Sequence, residues 1–363
     1  SCKAVEELIG NTIPERAIND AVTEAGRPGH HGTALVNPKP SQGVSAATDR
    51  LGVIKTYKLF IDGKFPRSES GRSLSVTGGE RGRVLAHVCH ASRKDLRDAA
   101  SAARKALDGW RGSTAYLRGQ ILYRMAEMLE GKSAEFGVAI TDSGCGCGPS
   151  VVGKRGGGNP ELLARREVEA AVDRLVCFAG WADKYAQVLG CNNAVAGPYY
   201  NFTVPEPTGV VGVVAPDRPA LLGLVSLLAP VVCSGNTAIV LAGESAGARL
   251  CASILGEVMA TSDVPAGVVN ILTGVRAELV PVLADHRDVD AVHAAGGEGG
   301  VDEELGAVLR SGAGENLKRV LVRGPTRGGA GTSVDWFDPG ACGDPWWIEP
   351  FVEFKTVWHP SAV

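Results

Sequence analysis

Residues 209–243, GVVGVVAPDRPALLGLVSLLAPVVCSGNTAIVLAG, constrain the fold of this chain more than any other stretch. A β-branched run, a proline-bearing turn, an apolar stretch of helical length and a second β-branched run follow one another. Strands that are apolar throughout, rather than alternating, belong to parallel sheets covered on both faces. The segment therefore reads as strand, loop, buried helix and strand, the opening of a nucleotide-binding type of sheet. The uncharged run between Arg218 and Glu244 is long enough to span a bilayer, but Pro230 and the Ser234-Gly235-Asn236 turn divide it, which assigns it to a buried sheet.

The same alternation continues downstream. Strands are predicted at 209–215, 236–242, 268–273, 289–294 and 318–323, with helices at 220–233, 246–260, 276–285 and 301–311. This pattern defines an α/β fold with a doubly wound parallel sheet, whose ligands are expected at the carboxyl ends of the strands. Upstream, YKLFIDGKF turns at Asp62-Gly63, and 84–91 gives another strand. Ser92 caps a helix with Asp95 three residues on, and Leu96, Ala99, Ala103, Leu107 and Trp110 form its apolar face. A second helix starts near Ser113 or Thr114 and is expected to bury Leu117, Ile121, Met125 and Met128. A third runs over 160–187, and 192–207 reads as an extended arm. Residues 1–55, rich in Gly, Pro, His and Ser with one short helix at 12–24 entered through Pro14, form an N-terminal extension or linker.

Charge and cysteine usage exclude several classes. A net charge of −3 in 363 residues leaves no basic field for nucleic acid. No signal peptide is seen at Ser1, and nine cysteines without framework spacing fit a reducing compartment, so the cytoplasm is expected. Cys145 and Cys147 lie in a glycine-rich stretch, but no second Cys/His pair with zinc-type spacing follows, which favours a loop over a metal site.

Residues 57–323 resemble the cofactor-binding half of an aldehyde dehydrogenase. GVVGVVAP, APVVCSGNTAIVLAGE, VPAGVVNILTG, HRDVDAV and ENLKRV fall in the order and spacing of that family, and IEPFVEFKTVWHP (348–360) is similar to its terminal oligomerisation strand. The pattern is nearest to the degenerate second module of the two-module, family-sixteen enzymes. The resemblance implies a cofactor-binding domain over 56–325 with an oligomerisation arm at 192–207, then a linker and a C-terminal oligomerisation strand over 326–363.

The chemistry that the resemblance implies can be tested residue by residue. A thiolate must attack the aldehyde, an amide must hold the oxyanion, and a carboxylate must activate water. Arg218 aligns with the amide donor of the family's P-W-N-F-P loop, and Arg323 aligns with its general-base Glu. An arginine cannot accept a proton at neutral pH. The nucleophile's G-Q-x-C motif is absent, and Cys342, the sole cysteine after the sheet, has no sequence neighbour to lower its pKa. No catalytic residue is therefore assigned. Vestigial cofactor-binding positions are Pro216, Glu244, Gly274, Gly296 and Gly297. Leu241 stands where the family has its ribose-binding Lys, and the Ser of its phosphate turn is gone. Glu298, Asp302, Glu303 and Glu304 crowd the Gly296–Gly300 loop. At an effective dielectric near 20 and about 6 to 8 Å, each carboxylate opposes a phosphate charge by roughly 2 to 3 kcal/mol before screening. NAD(P) binding is possible but not expected to be tight.

The strand at 349–358 places Val352, Phe354, Thr356 and Trp358 on one face, and such a strand left bare would aggregate, so a partner chain is expected to cover it. The reading is a structural or regulatory subunit without a catalytic domain, assembling with an active aldehyde dehydrogenase or with itself. The alternative is an NAD(P)-dependent aldehyde dehydrogenase whose site a partner completes. A nucleotide-sensing module without chemistry is the third.

Overall fold

In the computed structural model, β1 (Thr56–Tyr57), β2 (Ser73–Gly78) and β3 (Arg83–Cys89) make a small sheet in the order β1-β3-β2. The structure describes residues 53–79, 82–144, 159–297, 299–324 and 333–361. Nearly all of the expected N-terminal extension, Cys145, Cys147 and Glu298 lie outside the described residues. Asp62 and Gly63, with φ of 52° and 70°, form the expected turn, closed by the Ile61–Lys64 bridge.

Helix α1 (Arg93–Arg111) begins with the capping box expected from sequence: Ser92 Oγ accepts from Asp95 N, and Asp95 Oδ2 accepts from Ser92 N at 2.7 Å. Its five expected apolar residues are all buried. Helix α2 (Ala115–Gly131) starts at Thr114 and buries Ile121 and Met125, but Leu117 is 44% exposed and Met128 only partly covered. The inward stripe is completed by Leu122, Ala126 and Leu129, rotated by about one position from the expected one. Next come α3 (Ser133–Asp142) and α4 (Pro160–Trp181), the latter capped by Asn159 with proline in its first turn. Helix α4 stops at Trp181 instead of running to 187, and a separate turn, α5 (Tyr185–Leu189), follows. The strands β4 (Cys191–Asn193) and β5 (Tyr199–Pro207) form the arm.

The core is the doubly wound parallel sheet. It alternates β6 (Val210–Val214), α6 (Leu222–Cys233), β7 (Thr237–Leu241), α7 (Ala246–Thr261), β8 (Val269–Leu272), α8 (Arg276–Asp285), β9 (Ala291–Ala295), α9 (Glu303–Asn316) and β10 (Arg319–Arg323). The order is β10-β9-β6-β7-β8, every pair parallel. All residues of β6, β7, β8 and β9 are buried, as their continuous apolar character requires. Phe60 extends the β8 edge by an antiparallel bridge to Ile271. The chain reverses direction across the sheet between β6 and β9, so a crevice is expected at their carboxyl ends.

After the sheet, α10 (Pro339–Cys342) and two single 3-10 turns (Pro345–Trp347 and Glu349–Phe351) lead into β11 (Val352–Pro360). This strand corrects one sequence expectation. It is not left bare for a partner but pairs along its whole length with β5 of the same chain, from Val352 opposite Pro207 to Pro360 opposite Tyr199. The sheet order is β11-β5-β4. Phe354 and Trp358, on the expected apolar face, remain 45% and 59% exposed. Among the described residues no helix is long and apolar enough to cross a membrane.

Candidate functional site

The loops that leave β6 and β9 meet across the switch point. Asp217 N donates to Gly299 O at 2.7 Å, so the two sides of the crevice are joined by backbone. Gly299 has φ of 72°, and a Cβ there would come within 2.6 Å of the Asp217 Cβ, so only glycine permits this approach. Asp217 Oδ1 accepts from Glu244 N and Ser245 N, at the end of β7, and from Arg276 Nη2 at 2.6 Å. The same Nη2 donates to Ala215 O at 3.0 Å and Gly299 O at 2.8 Å. Arg276 is buried, and its charge is matched by the Asp217 carboxylate. One ion pair thus ties together the ends of β6 and β7, the loop after β9 and the start of α8.

A crossover helix leaves its first four N–H groups without helical partners, which makes its N-terminus a natural phosphate receptor. In this chain protein oxygens reach each of these ends. Glu167, fully buried on α4, accepts from Leu221 N and Leu222 N at the start of α6. Ser245 caps α7 through Ala248 N. Glu244 Oε1 accepts from Arg276 N at 2.6 Å, at the start of α8. Asp302 Oδ1 accepts from Leu305 N at 2.9 Å in α9. Three of these four caps are carboxylates, which also satisfy the positive end of the helix dipole.

The sequence-derived cofactor positions converge here, but each faces protein. Glu244 holds α8. Pro216 packs on the first turn of α6, where a Cβ at Gly223 would lie 2.4 Å from its ring. Gly274 sits against Leu279, Gly296 N donates to Arg323 O at 2.7 Å, and Gly297 O accepts from Gly300 N. At each helix start one or two of the N–H groups that could face a pyrophosphate are thus bonded to protein.

Arg218 and Arg323 are not brought together. Arg218 is exposed, without a hydrogen bond or ion pair among the described residues. Arg323, at the end of β10, donates from Nε to His293 Nε2 at 3.2 Å and lies 4.1 Å above the Trp347 ring. His293 is fully buried, and its Nδ1 is 3.0 Å from Leu227 O. These contacts define a neutral ring with its proton on Nδ1. Burial, reinforced by the Arg323 charge, pushes its pKa well below the usual range. Phe351, Trp347 and Trp336 stack around it in series. Trp336, Trp347 and Phe351, from the segment before β11, therefore pack onto this end of the sheet.

That segment is held by α4. Arg174 donates to Ser226 Oγ at 2.7 Å and to Trp336 O at 2.9 Å, and Trp181 Nε1 donates to Gly343 O at 2.7 Å. Cys342 is enclosed beneath it, its Sγ 3.3 Å from Asp335 O. Burial pushes the Cys342 thiol up, with the Arg174 charge opposing. A protonated, enclosed thiol is a poor nucleophile. Among the described residues no cluster of His, Cys, Asp and Glu could hold a metal ion.

Glu167, Asp217, Arg276 and His293 were not legible as site residues. The one available signal was the spacing of Glu167 and Arg174, which fall within the buried stripe Ala164, Val168, Ala171, Leu175 and Phe178 of α4.

With the geometry established, the comparisons with known proteins agree with it. The family model "Aldehyde dehydrogenase family" matches residues 65–325. Mouse retinal dehydrogenase 2 is 32% identical over 274 residues, covering 74% of this chain and 48% of the mouse protein. An aldehyde dehydrogenase of Aspergillus niger is 30% identical over 267 residues, covering 73% and 49%. Among solved structures, PnpE from Pseudomonas sp. WBC-3 superposes with a TM-score of 0.65 at 25% identity, covering 74% of this chain and 51% of that one. The NAD+ complex of a Bacillus cereus aldehyde dehydrogenase gives 0.64 at 23% identity, with the same coverage. The fold is that of a dinucleotide-binding dehydrogenase domain. The chain belongs to the aldehyde dehydrogenase family, and it spans about half the length of the curated relatives it matches.

Proposed function

We propose that this chain is a non-catalytic member of the family, a structural or regulatory subunit that assembles with an active aldehyde dehydrogenase or with itself. The observation that carries this reading is Arg323. At the position aligned with the family's general base stands a guanidinium that is stacked on Trp347, bonded to His293 and unable to take a proton. Arg218 at the amide position and the enclosed Cys342 support the same conclusion. The self-capped crossover helices argue against tight NAD(P) binding.

Assembly is supported by the sheet of β11, β5 and β4, where Tyr199, Tyr200, Phe354 and Trp358 are each close to half exposed or more. Aromatic patches of this kind mark protein interfaces. The six free cysteines among the described residues support a reducing, cytoplasmic setting.

A second reading rests on length. Because the chain spans about half of its relatives, polypeptide outside the present sequence could supply the nucleophile and base to an NAD(P)-dependent enzyme. Purified protein assayed with NAD, NADP and a panel of aldehydes is expected to show no turnover, and calorimetry no micromolar dinucleotide binding. Turnover that disappears in Cys342→Ala would overturn the non-catalytic reading. The double variant Phe354→Lys/Trp358→Lys is expected to lower the native mass, and an unchanged assembly would remove the sheet as the interface.

A further inference from the structure

The donors that converge on Asp217 Oδ1 make a receptor for an anion. They are the backbone N–H of Glu244 at 2.5 Å, the backbone N–H of Ser245 at 3.2 Å and Arg276 Nη2 at 2.6 Å. Adjacent N–H groups where α7 begins, joined by a guanidinium, are the combination with which proteins hold oxyanions. The occupant is a carboxylate of the chain itself. Asp217 stands where the family's P-W-N-F-P loop carries tryptophan, so the charge is a feature of this chain and not of the fold.

The carboxylate leaves donors over. Arg276 has a side chain only 7% exposed, and its Nε is buried without a hydrogen-bond partner among the described residues. The Nε of Arg249, one turn into α7, is in the same condition. Burial lowers the pKa of Arg249, while Glu244 and Asp217 raise it and Arg276 lowers it further, so the four charges share one neighbourhood. The Asp217 side chain is 22% exposed, so the receptor meets solvent on the side of its occupant. A phosphate group offers more acceptor oxygens and more charge than a carboxylate.

We propose that Asp217 is a tethered competitor, an autoinhibitory contact that fills a receptor for the phosphate group of a small molecule and keeps external phosphate out. The tether is tight, because Asp217 N is itself bonded to Gly299 O at 2.7 Å. The carboxylate's effective concentration is therefore set by the loop and not by the surroundings. The inference rests on the reading of this chain as one that does not bind NAD(P) tightly, and supplies a residue that contributes to it.

The test follows thermal unfolding of the whole chain at constant ionic strength, titrated with inorganic phosphate and, separately, with adenosine diphosphate. Apparent affinity for phosphate is expected to rise at least about tenfold in Asp217→Ala over the parent, and the gain to vanish in Asp217→Ala/Arg276→Met. Asp217→Asn removes the charge but keeps the size, and should show part of the gain. Asp98→Ala, at an exposed position of α1, should match the parent. Circular dichroism confirms that each variant is folded. Tighter binding of adenosine diphosphate than of phosphate would assign the receptor to a nucleotide, and equal binding to phosphate alone; both support the receptor. Equal affinity in the parent, Asp217→Ala and Asp217→Asn would overturn the proposal. So would an equal gain in Asp98→Ala, or a gain that survives the loss of Arg276. Micromolar NAD binding by the parent would overturn the underlying reading, a result separate from the phosphate titration.

Discussion

Nη2 of Arg276 lies 2.6 Å from Oδ1 of Asp217, and the same nitrogen reaches the carbonyls of Ala215 and Gly299. A single buried cation thereby bridges loops from three strands. Removing it takes the countercharge from a part-buried carboxylate and a donor from the Ala215 and Gly299 carbonyls, which is more damaging than the loss of the pair's net attraction. Arg276→Met is expected to lower stability by about 2 to 4 kcal/mol in urea unfolding, and Asp217→Asn by less, because its amide keeps an acceptor oxygen. The double variant should lose less than the two single changes added together.

Arg323 carries the opposite expectation. Its Nη2 is buried without a hydrogen-bond partner among the described residues, so the stacking on Trp347 and the bond to His293 are offset by a stranded donor. Arg323→Met retains the apolar length and removes the stranded atom, and should change stability by less than about 1 kcal/mol. Arg323→Glu restores the residue type of the family's base, yet is expected to give no turnover with NAD and aldehyde, since burial keeps the neighbouring Cys342 thiol protonated.

The buried His293 sets an acid limit. Its folded pKa is held well below that of the unfolded chain, first by burial and then by the Arg323 charge. Below about pH 6.5 the unfolded state therefore binds the proton and the folded state does not, so stability falls as pH is lowered through that value. Thermal midpoints between pH 7 and 5 should drop less steeply in His293→Phe than in the parent.

Lys318 acts at the alkaline end. Burial lowers its pKa to about 8, against the pull of Asp285 and Asp290, while Nζ donates to His286 O at 2.7 Å. Between about pH 8 and 10.4 the unfolded chain binds more protons, so this residue adds stability as pH rises, roughly 2 to 3 kcal/mol over the window. Lys318→Met should flatten that part of the urea-derived stability profile.

Thiol reactivity separates the cysteines. Cys191 is exposed, whereas Cys342 and Cys233 are enclosed, with burial pushing both thiols up. Brief labelling of native protein at pH 8, read by peptide mass, should modify Cys191 and spare the other two until urea is added. Rapid native labelling of Cys342 would contradict the enclosed position.

The central sheet was legible because strands buried on both faces leave an unbroken apolar signature, and the caps at Ser92 and Thr114 announce helices locally. Leu117 was misjudged because α2 packs through Leu122, Ala126 and Leu129, a choice made by its neighbours and not by its own period. The crevice was only half legible. Glu244 and the glycines could be placed by resemblance, but the use that Arg276 makes of Glu244 and Asp217 depends on partners 32 and 59 residues away, which no local pattern encodes. The acidic residues of α9 suggested repulsion of phosphate, and the structure adds protein oxygens that cap the helix starts. The tail strand was found in sequence, but its pairing with β5 was assigned outward because nothing in a strand identifies which edge it will join.

The carboxylates of Glu167, Glu244 and Asp302 have a thermodynamic meaning beyond the crevice. In a protein stabilised by ligand, the melting point tracks ligand supply, because only the folded form binds. On the proposed reading, helix starts capped from within uncouple this sheet from NAD(P). Its melting point should then stay constant while nicotinamide nucleotide levels rise and fall around it.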